Sequence, residues 1–246
     1  MKAKFFNYRK GDNIIRFKVG VSGNQKITLT NSAIVETFTF SKSQFEYVMQ
    51  KGSGFFGLIE HDHANCMNCP FSKNQKYSGG AKCYTHKYRQ LEGFHSILKS
   101  ISRNYSTFED IAEMDGENVP AELLKAVQGK YVRFGTYGEP VVIPFKWVAE
   151  ICQVAKNWTS YTHQWANPDY QNFKDYFMAS VHSPEQAEMA SAMGWRYFET
   201  FEKGQTPSAG SILCPADRKK VSCETCGLCS GLKGKGNAKS VNIKLH

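Results

Sequence analysis

The sequence predicts an α/β fold: part of a (β/α) barrel, preceded by a small N-terminal β element and followed by a C-terminal cysteine-rich extension. Three observations carry this expectation. Strand-like segments begin near residues 131, 158, 176 and 195, each pair separated by a helix-sized stretch. That β-α-β-α spacing belongs to a parallel sheet or part of a (β/α) barrel. The first forty residues instead alternate and are rich in β-branched types, and seven of the eight cysteines fall into two tight groups.

Taken in order, NIIRFKVGVSG and QKITLTNSAIVETFTF read as strands of a hairpin or edge sheet. Ser41 or Ser43 caps a short helix through FEYVMQK, which stops at Gly52 and Gly54. A loop with His61, His63, Cys66, Cys69 and Cys83 follows. Leu91, Phe94, His95 and Leu98 lie at helical spacing and predict a helix over 86–101. Pro120 opens a helix through AELLKAVQ, ended by Gly129. From there YVRFG, WTSYTH, YFMASV and RYFETF read as strands. IPFKWVAEICQVAK and PEQAEMASAMG read as helices, the second capped by Ser183, and Pro168 opens a short one. SVNIKLH is a last strand.

The organisation expected is 1–57 as the N-terminal β hairpin and short helix, 58–202 as the cysteine loop with the βα core, and 203–246 as the metal-binding extension. With 246 residues, 41% hydrophobic and 13% aromatic, the chain can bury a full core. Trp147, Trp158, Trp165, Trp195, Tyr161 and Tyr197 are read as core packing rather than base-stacking residues. No apolar run reaches the roughly 20 residues that span a bilayer. MKAKFFNYRKGDN has no apolar stretch with a cleavage site, so a cytoplasmic protein without a membrane partner is expected. Thiols stay reduced there, which favours metal ligation over disulfides. The net charge is +9, spread along the chain and concentrated only in the tail at Lys233, Lys235, Lys239 and Lys244. This reads chiefly as a solvated surface, with nucleic acid a weaker alternative.

Cysteines two residues apart point at one centre, because the turn between them brings both sulfurs to the same side. Cys214, Cys223, Cys226 and Cys229 supply four ligands, enough to close a site. CETCGLC has the C-x2-C-x2-C run of bacterial ferredoxins, so a [4Fe–4S] cluster or a structural Zn2+ is expected. Gly227 and Gly231 allow the tight backbone, and Lys219 and Lys220 offset the charge of four thiolates. Cys66, Cys69 and Cys83 are one ligand short. Either His61, His63 or His86 completes a Cys3His zinc site, or three thiolates hold a [4Fe–4S] cluster with one open iron. All seven thiolates converging on one cluster is a further alternative. Cys152 stands alone in an apolar stretch and reads as a packing residue.

About fifty residues after Cys83 comes Gly135-Thr136-Tyr137-Gly138-Glu139-Pro140. Here the chain resembles the radical S-adenosylmethionine (SAM) superfamily, which places three N-terminal cysteines on an open-iron cluster ahead of a Gly-Gly-Glu-Pro turn in a partial (β/α) barrel. Gly138, Glu139 and Pro140 match three positions of that turn, with Tyr137 in place of the first glycine. The cysteine spacing, two then thirteen residues, departs from the family's three then two. The resemblance covers residues 60 to 202. It implies that Gly138 and Glu139 contact SAM, that Ser180 and His182 occupy a cofactor-binding strand end, and that the late quartet is auxiliary or structural. In texture (CYTH, RFGTYGEP, MASVHSPEQA, CETCGLC) the chain is also similar to a set of tailed-bacteriophage proteins with early and late cysteine clusters, implying a viral protein in the host cytoplasm.

The expected function is therefore an iron–sulfur protein with a radical-SAM-like core, catalytic or electron-transferring, on a substrate the sequence does not name. One alternative is a zinc-stabilised nucleic-acid-binding module. Another is a metal-dependent replication nuclease, since His61-Asp62-His63 is similar to the paired histidines of such enzymes, although Asp62 replaces the usual apolar residue. His163 in YTHQW also sits at a predicted strand end, where βα barrels place active-site groups.

Overall fold

The computed structural model of the protein describes residues 2–24, 26–29, 32–50, 53–67, 69–72, 83, 85, 88–114, 118–217 and 221–244. It is a mixed α/β structure with two five-stranded sheets. The first contains β1 (Lys4–Lys10), β2 (Asn13–Val21), β3 (Ala33–Ser41), β4 (Tyr131–Tyr137) and β5 (Asn157–Thr159), paired in that order. β1, β2 and β3 are antiparallel, whereas β3, β4 and β5 are parallel. The N-terminal strands are thus one flank of a larger sheet, because β3 is shared with the βα part of the chain.

The second sheet is parallel throughout. Its strands are β6 (Tyr161–Thr162), β7 (Met178–Val181), β8 (Tyr197–Phe201), β9 (Ser211–Leu213) and β10 (Ser240–Lys244), in the order β6-β7-β8-β10-β9. The expected strand over WTSYTH is two short strands separated by Ser160 alone. At this break the Ser160 amide donates to the Cys229 carbonyl (3.0 Å), and its carbonyl accepts from the Met178 amide (3.1 Å). The chain therefore leaves one sheet and enters the other where the late cysteine segment is inserted.

Helices cover both faces of the first sheet. α1 (Lys42–Met49) begins at Ser41, whose side chain accepts from the Gln44 amide while Gln44 returns the bond, a reciprocal cap. It packs with α4 (Tyr88–Ser102) over Phe38, Phe40 and Tyr137. α5 (Ala121–Val127) and α6 (Phe145–Val154) cover the opposite face, where Val35, Val132, Phe134, Trp147 and Ile151 share a core that continues to Trp165, Trp195 and Tyr197. Cys152 is buried in this core, as expected of a packing residue. α7 (Pro184–Ala192), capped by Ser183, lies beside β7 and β8. Pro168–Asp175 is a 3-10 turn. Between α1 and α4 stand two single turns, α2 (Gly57–Glu60) and α3 (His63–Cys66).

In the C-terminal segment, α8 (Cys223–Cys226) and α9 (Gly231–Lys235) precede β10, which inserts between β8 and β9. Arg196, buried at the entry to β8, fastens this segment. Its guanidinium donates to the carbonyls of Leu228, Gly231, Ala238 and Lys239 at 2.8–3.3 Å. Among the described residues, no helix is long and apolar enough to cross a membrane.

Candidate metal centres

The first cysteine group is shaped by backbone turns. The Asp62 carbonyl accepts from the amides of Asn65 (3.1 Å) and Cys66 (2.8 Å), and the Cys69 amide donates to the Cys66 carbonyl (3.0 Å). Met67, inside that turn, has φ +49, a left-handed conformation rare for a side-chain-bearing residue and frequent at functional sites. Ser72 closes the loop by donating to Asp62 Oδ1 (3.0 Å). Burial raises the Cys66 thiol well above its usual range, and the charges of Asp62, Cys69, Cys83 and Glu139 add to this. Cys69 is pushed up to about 12, mainly by burial and also by Cys83 and Glu139. The three thiols and Glu139 thus share one electrostatic environment. Burial thus disfavours the Cys66 and Cys69 thiolates, a preference that a bound metal would reverse.

The Gly-Glu-Pro turn meets the same helix. The Glu139 amide donates to the Asn65 carbonyl (2.8 Å), and Asn65 Nδ2 donates to the Thr39 carbonyl (2.9 Å). Gly138 has φ +77, and a Cβ there would stand 2.8 Å from Thr39 and 2.9 Å from Asn65 Nδ2, so only glycine fits. Pro140 is buried at the start of a 3-10 turn. Tyr137, where the resemblance would place a glycine, is a packing residue. It accepts from Gln44 Nε2 (2.8 Å) and stacks on Phe94 at 4.6 Å.

Glu139 is 3% exposed. Its Oε2 accepts from the His163 amide (3.1 Å), while Oε1 is buried without a hydrogen-bond partner. Burial raises its pKa to about 7, against the opposing pull of the Thr162 hydroxyl and the amides of His163 and Val141. His163 follows β6 and His182 follows β7, and their Nε2 atoms are 3.1 Å apart. His163 Nε2 also lies 3.7 Å from Cys69 Sγ, its Nδ1 lies 3.9 Å from Glu139 Oε2, and His182 Nδ1 meets Thr200 Oγ1 at 2.6 Å. Phe71, from the cysteine loop, packs on His182 at 4.3 Å. Burial and the neighbouring His182 hold His163 down at about 3, and burial holds His182 at about 4, so both rings are neutral. Ser180 precedes His182 by two residues, and strand alternation puts both on one side.

The second group lines one small cavity. Cys214, Cys223, Cys226 and Cys229 surround about 20 Å³ together with Thr159, Tyr161 and Val241. α8 is capped by Ser222 and ends at Gly227, whose φ of +62 turns the chain toward Cys229. A Cβ on Gly227 would collide with the Asn157 side chain. The Tyr161 hydroxyl donates to the Cys229 sulfur. Burial raises the Cys223 thiol, while the positive charges of Arg133 and Lys26 lower it. Lys219 and Lys220, expected in that role, lie outside the described residues.

Glu139, His163 and His182 therefore gather with the early trio at strand ends. The quartet lies elsewhere. The charges of Cys66 and Cys83 act on Tyr137, those of Cys223 and Cys229 on Tyr131, and these tyrosines stand at opposite ends of β4. Six residues of strand span about 20 Å, so the seven thiolates do not converge. His61 packs against Tyr47 at 5.4 Å instead of facing the trio. His86 and the side chain of His63 lie outside the described residues. The sequence alone did not pair His163 with Cys69. Its strand-end position was readable, but the 94 residues between the two hid the contact. Among the described residues, no three His, Cys, Asp or Glu side chains stand as they would around a metal ion. In comparisons with protein-family models, with curated proteins and with solved structures, nothing matches the chain.

Proposed function

We propose that the chain is a phage-encoded iron–sulfur protein with a radical-SAM-like core, a partial (β/α) barrel running from β3 to β8. Cys66, Cys69 and Cys83 would hold a [4Fe–4S] cluster with one open iron, and Gly138, Glu139, Pro140 and Ser180 would line the SAM site. The observation that carries this reading is the 2.8 Å bond from Glu139 to Asn65, which joins the Gly-Glu-Pro turn to the helix of Cys66. When bound, such a cluster supplies one-electron chemistry to the cofactor. The chain's own residues do the rest. The buried turn offers Glu139 as a carboxylate for an ammonium group, and Phe71 with the neutral histidines walls the site from water.

The quartet would hold a separate, auxiliary or structural cluster. Anaerobic purification with iron, sulfide and zinc analysis tests the proposal, together with equilibrium binding of SAM. Iron and sulfide with SAM binding lost on Glu139→Ala would support it. A colourless zinc protein without sulfide would sink it.

A further inference from the structure

Positive charge is spread along the sequence, but the fold gathers part of it at one edge of the molecule. We propose that the edge where the parallel strands begin, carrying Lys130, Lys156, Lys174, Lys235 and Lys239, is a docking surface for the phosphate backbone of double-stranded nucleic acid. This edge lies at the start of β4, whereas Glu139 follows its end. The inference goes beyond the proposed chemistry and does not depend on either metal centre.

Topology brings these lysines together. Lys130 and Lys156 immediately precede the parallel neighbours β4 and β5, and the Lys156 amide donates to the Lys130 carbonyl (2.9 Å). Lys239 immediately precedes β10. Lys174 lies in the 3-10 turn before β7, and its Nζ donates to the Met193 carbonyl (3.3 Å). Trp158 Nε1 donates to the Tyr176 carbonyl (2.8 Å), which joins the segments of Lys156 and Lys174. Two glycines then dock α9, which ends in Lys235, on the same place. Gly231 has φ +66, and a Cβ there would stand 2.5 Å from the Tyr176 backbone. A Cβ on Gly234 would meet Ser230 and would lie 3.3 Å from Trp158. Larger residues would lift the helix, and Lys235 with it, away from β5. Lys244, the other lysine of the basic tail, ends β10 and so lies at the opposite edge.

Charge then selects the partner. Lys156, Lys235 and Lys239 are exposed, and among the described residues no carboxylate pairs with them or with Lys130. The nearby carboxylates are already engaged, Asp175 by Lys233 (3.2 Å) and Glu224 by Thr28 (2.6 Å) and Ser32 (3.2 Å). Neighbouring ammonium groups repel one another, and a polyanion relieves that repulsion while releasing its own counterions. A protein partner would need an apolar centre to the surface. On α9 a single large apolar side chain, Leu232, is exposed beside the lysines. Trp158 is half-buried and Tyr176 buried, so unpaired bases find no stacking platform, which favours a duplex over single strands.

Fluorescence anisotropy of the full chain with a labelled, mixed-sequence DNA duplex tests the proposal. Five phosphate contacts give a slope of log K against log salt of about −4 to −5, a loss of about 500-fold between roughly 50 and 200 mM salt. A duplex of scrambled sequence should bind equally, and the corresponding single strand more weakly. Lys156→Gln with Lys235→Gln should reduce the slope by about 2. Lys203→Gln with Lys244→Gln removes the same charge beyond the strands' other ends and should leave the slope unchanged. All four positions are exposed, so neither pair disturbs folding. Equal effects of the two pairs, no duplex binding at the lower salt, or tighter binding of the single strand would overturn the assignment. Phosphatidylserine vesicles or polyglutamate binding as tightly as the duplex, through the same two lysines, would also overturn it and identify a membrane or acidic-protein surface instead.

Discussion

The Glu139 amide donates to the Asn65 carbonyl across 2.8 Å, so the turn that follows β4 is tied directly to the helix that carries Cys66. Gly138 makes that approach feasible. Alanine there would combine a left-handed φ of +77 with overlap against Thr39 and Asn65. Those two penalties together cost about 2–5 kcal/mol. Gly138→Ala is expected to lower the urea midpoint and to lose the trio's iron while the quartet's iron remains. Full iron content at unchanged stability would show that the turn does not position the trio.

The two cysteine groups should differ in how much of the fold they support. The quartet is tied to distant chain segments. The Cys223 amide donates to the Lys26 carbonyl (3.0 Å), and the Glu224 carboxylate accepts from Thr28 (2.6 Å) and Ser32 (3.2 Å). The Cys66 and Cys69 amides instead donate within their own loop, to the carbonyls of Asp62 and Cys66. Because metal-binding free energy is also folding free energy, Cys223→Ser with Cys226→Ser should destabilise more than Cys66→Ser with Cys69→Ser. A loss of about 3 kcal/mol would lower Tm by roughly 6–12 °C. Calorimetry of the metal-loaded variants checks this, and equal shifts for the two pairs would contradict it.

Much of the βα order was legible because hydrophobic runs, Pro at helix starts and the caps Ser41 and Ser183 act locally. What escaped was set by contacts between remote segments. Nothing near Ser160 announces that its strand divides between two sheets, since the break depends on Cys229 arriving 69 residues later. Tyr137 departs from the turn motif for a reason visible only in three dimensions, its place between Gln44 and Phe94. Both cysteine groups were legible as groups, from spacing alone. Their surroundings were not, because Arg133, Tyr161 and His163 reach them through the sheets.

His95 provides a test of pH dependence away from the cysteines. It is buried on α4, its Nε2 has no hydrogen-bond partner, and burial followed by the charge of Lys99 holds its pKa below the usual 6.5. The unfolded chain therefore takes up a proton more readily than the folded one. Stability from this group is present above pH 6.5 and is lost as pH falls below it. His95→Leu should remove that share. Urea unfolding at pH 7.5 and 5.5 should show a smaller acid loss for the variant than for the wild type, and an identical loss would refute the assignment.

Tyr161 provides the test that separates the quartet's two metals. Its hydroxyl is buried against Cys229 and donates to the sulfur. Hydrogen bonds to cluster sulfurs stabilise the more negative, reduced state and so raise the reduction potential. Tyr161→Phe keeps the ring that packs on Phe198 at 4.3 Å and removes only that donor. With an iron–sulfur cluster in the quartet, the variant should retain its iron while its potential shifts negative in a mediated redox titration. The potential of the trio's centre, at the other end of β4, should not move. If the quartet held zinc, no redox signal would respond to this substitution, and the cluster assignment for that site would fail.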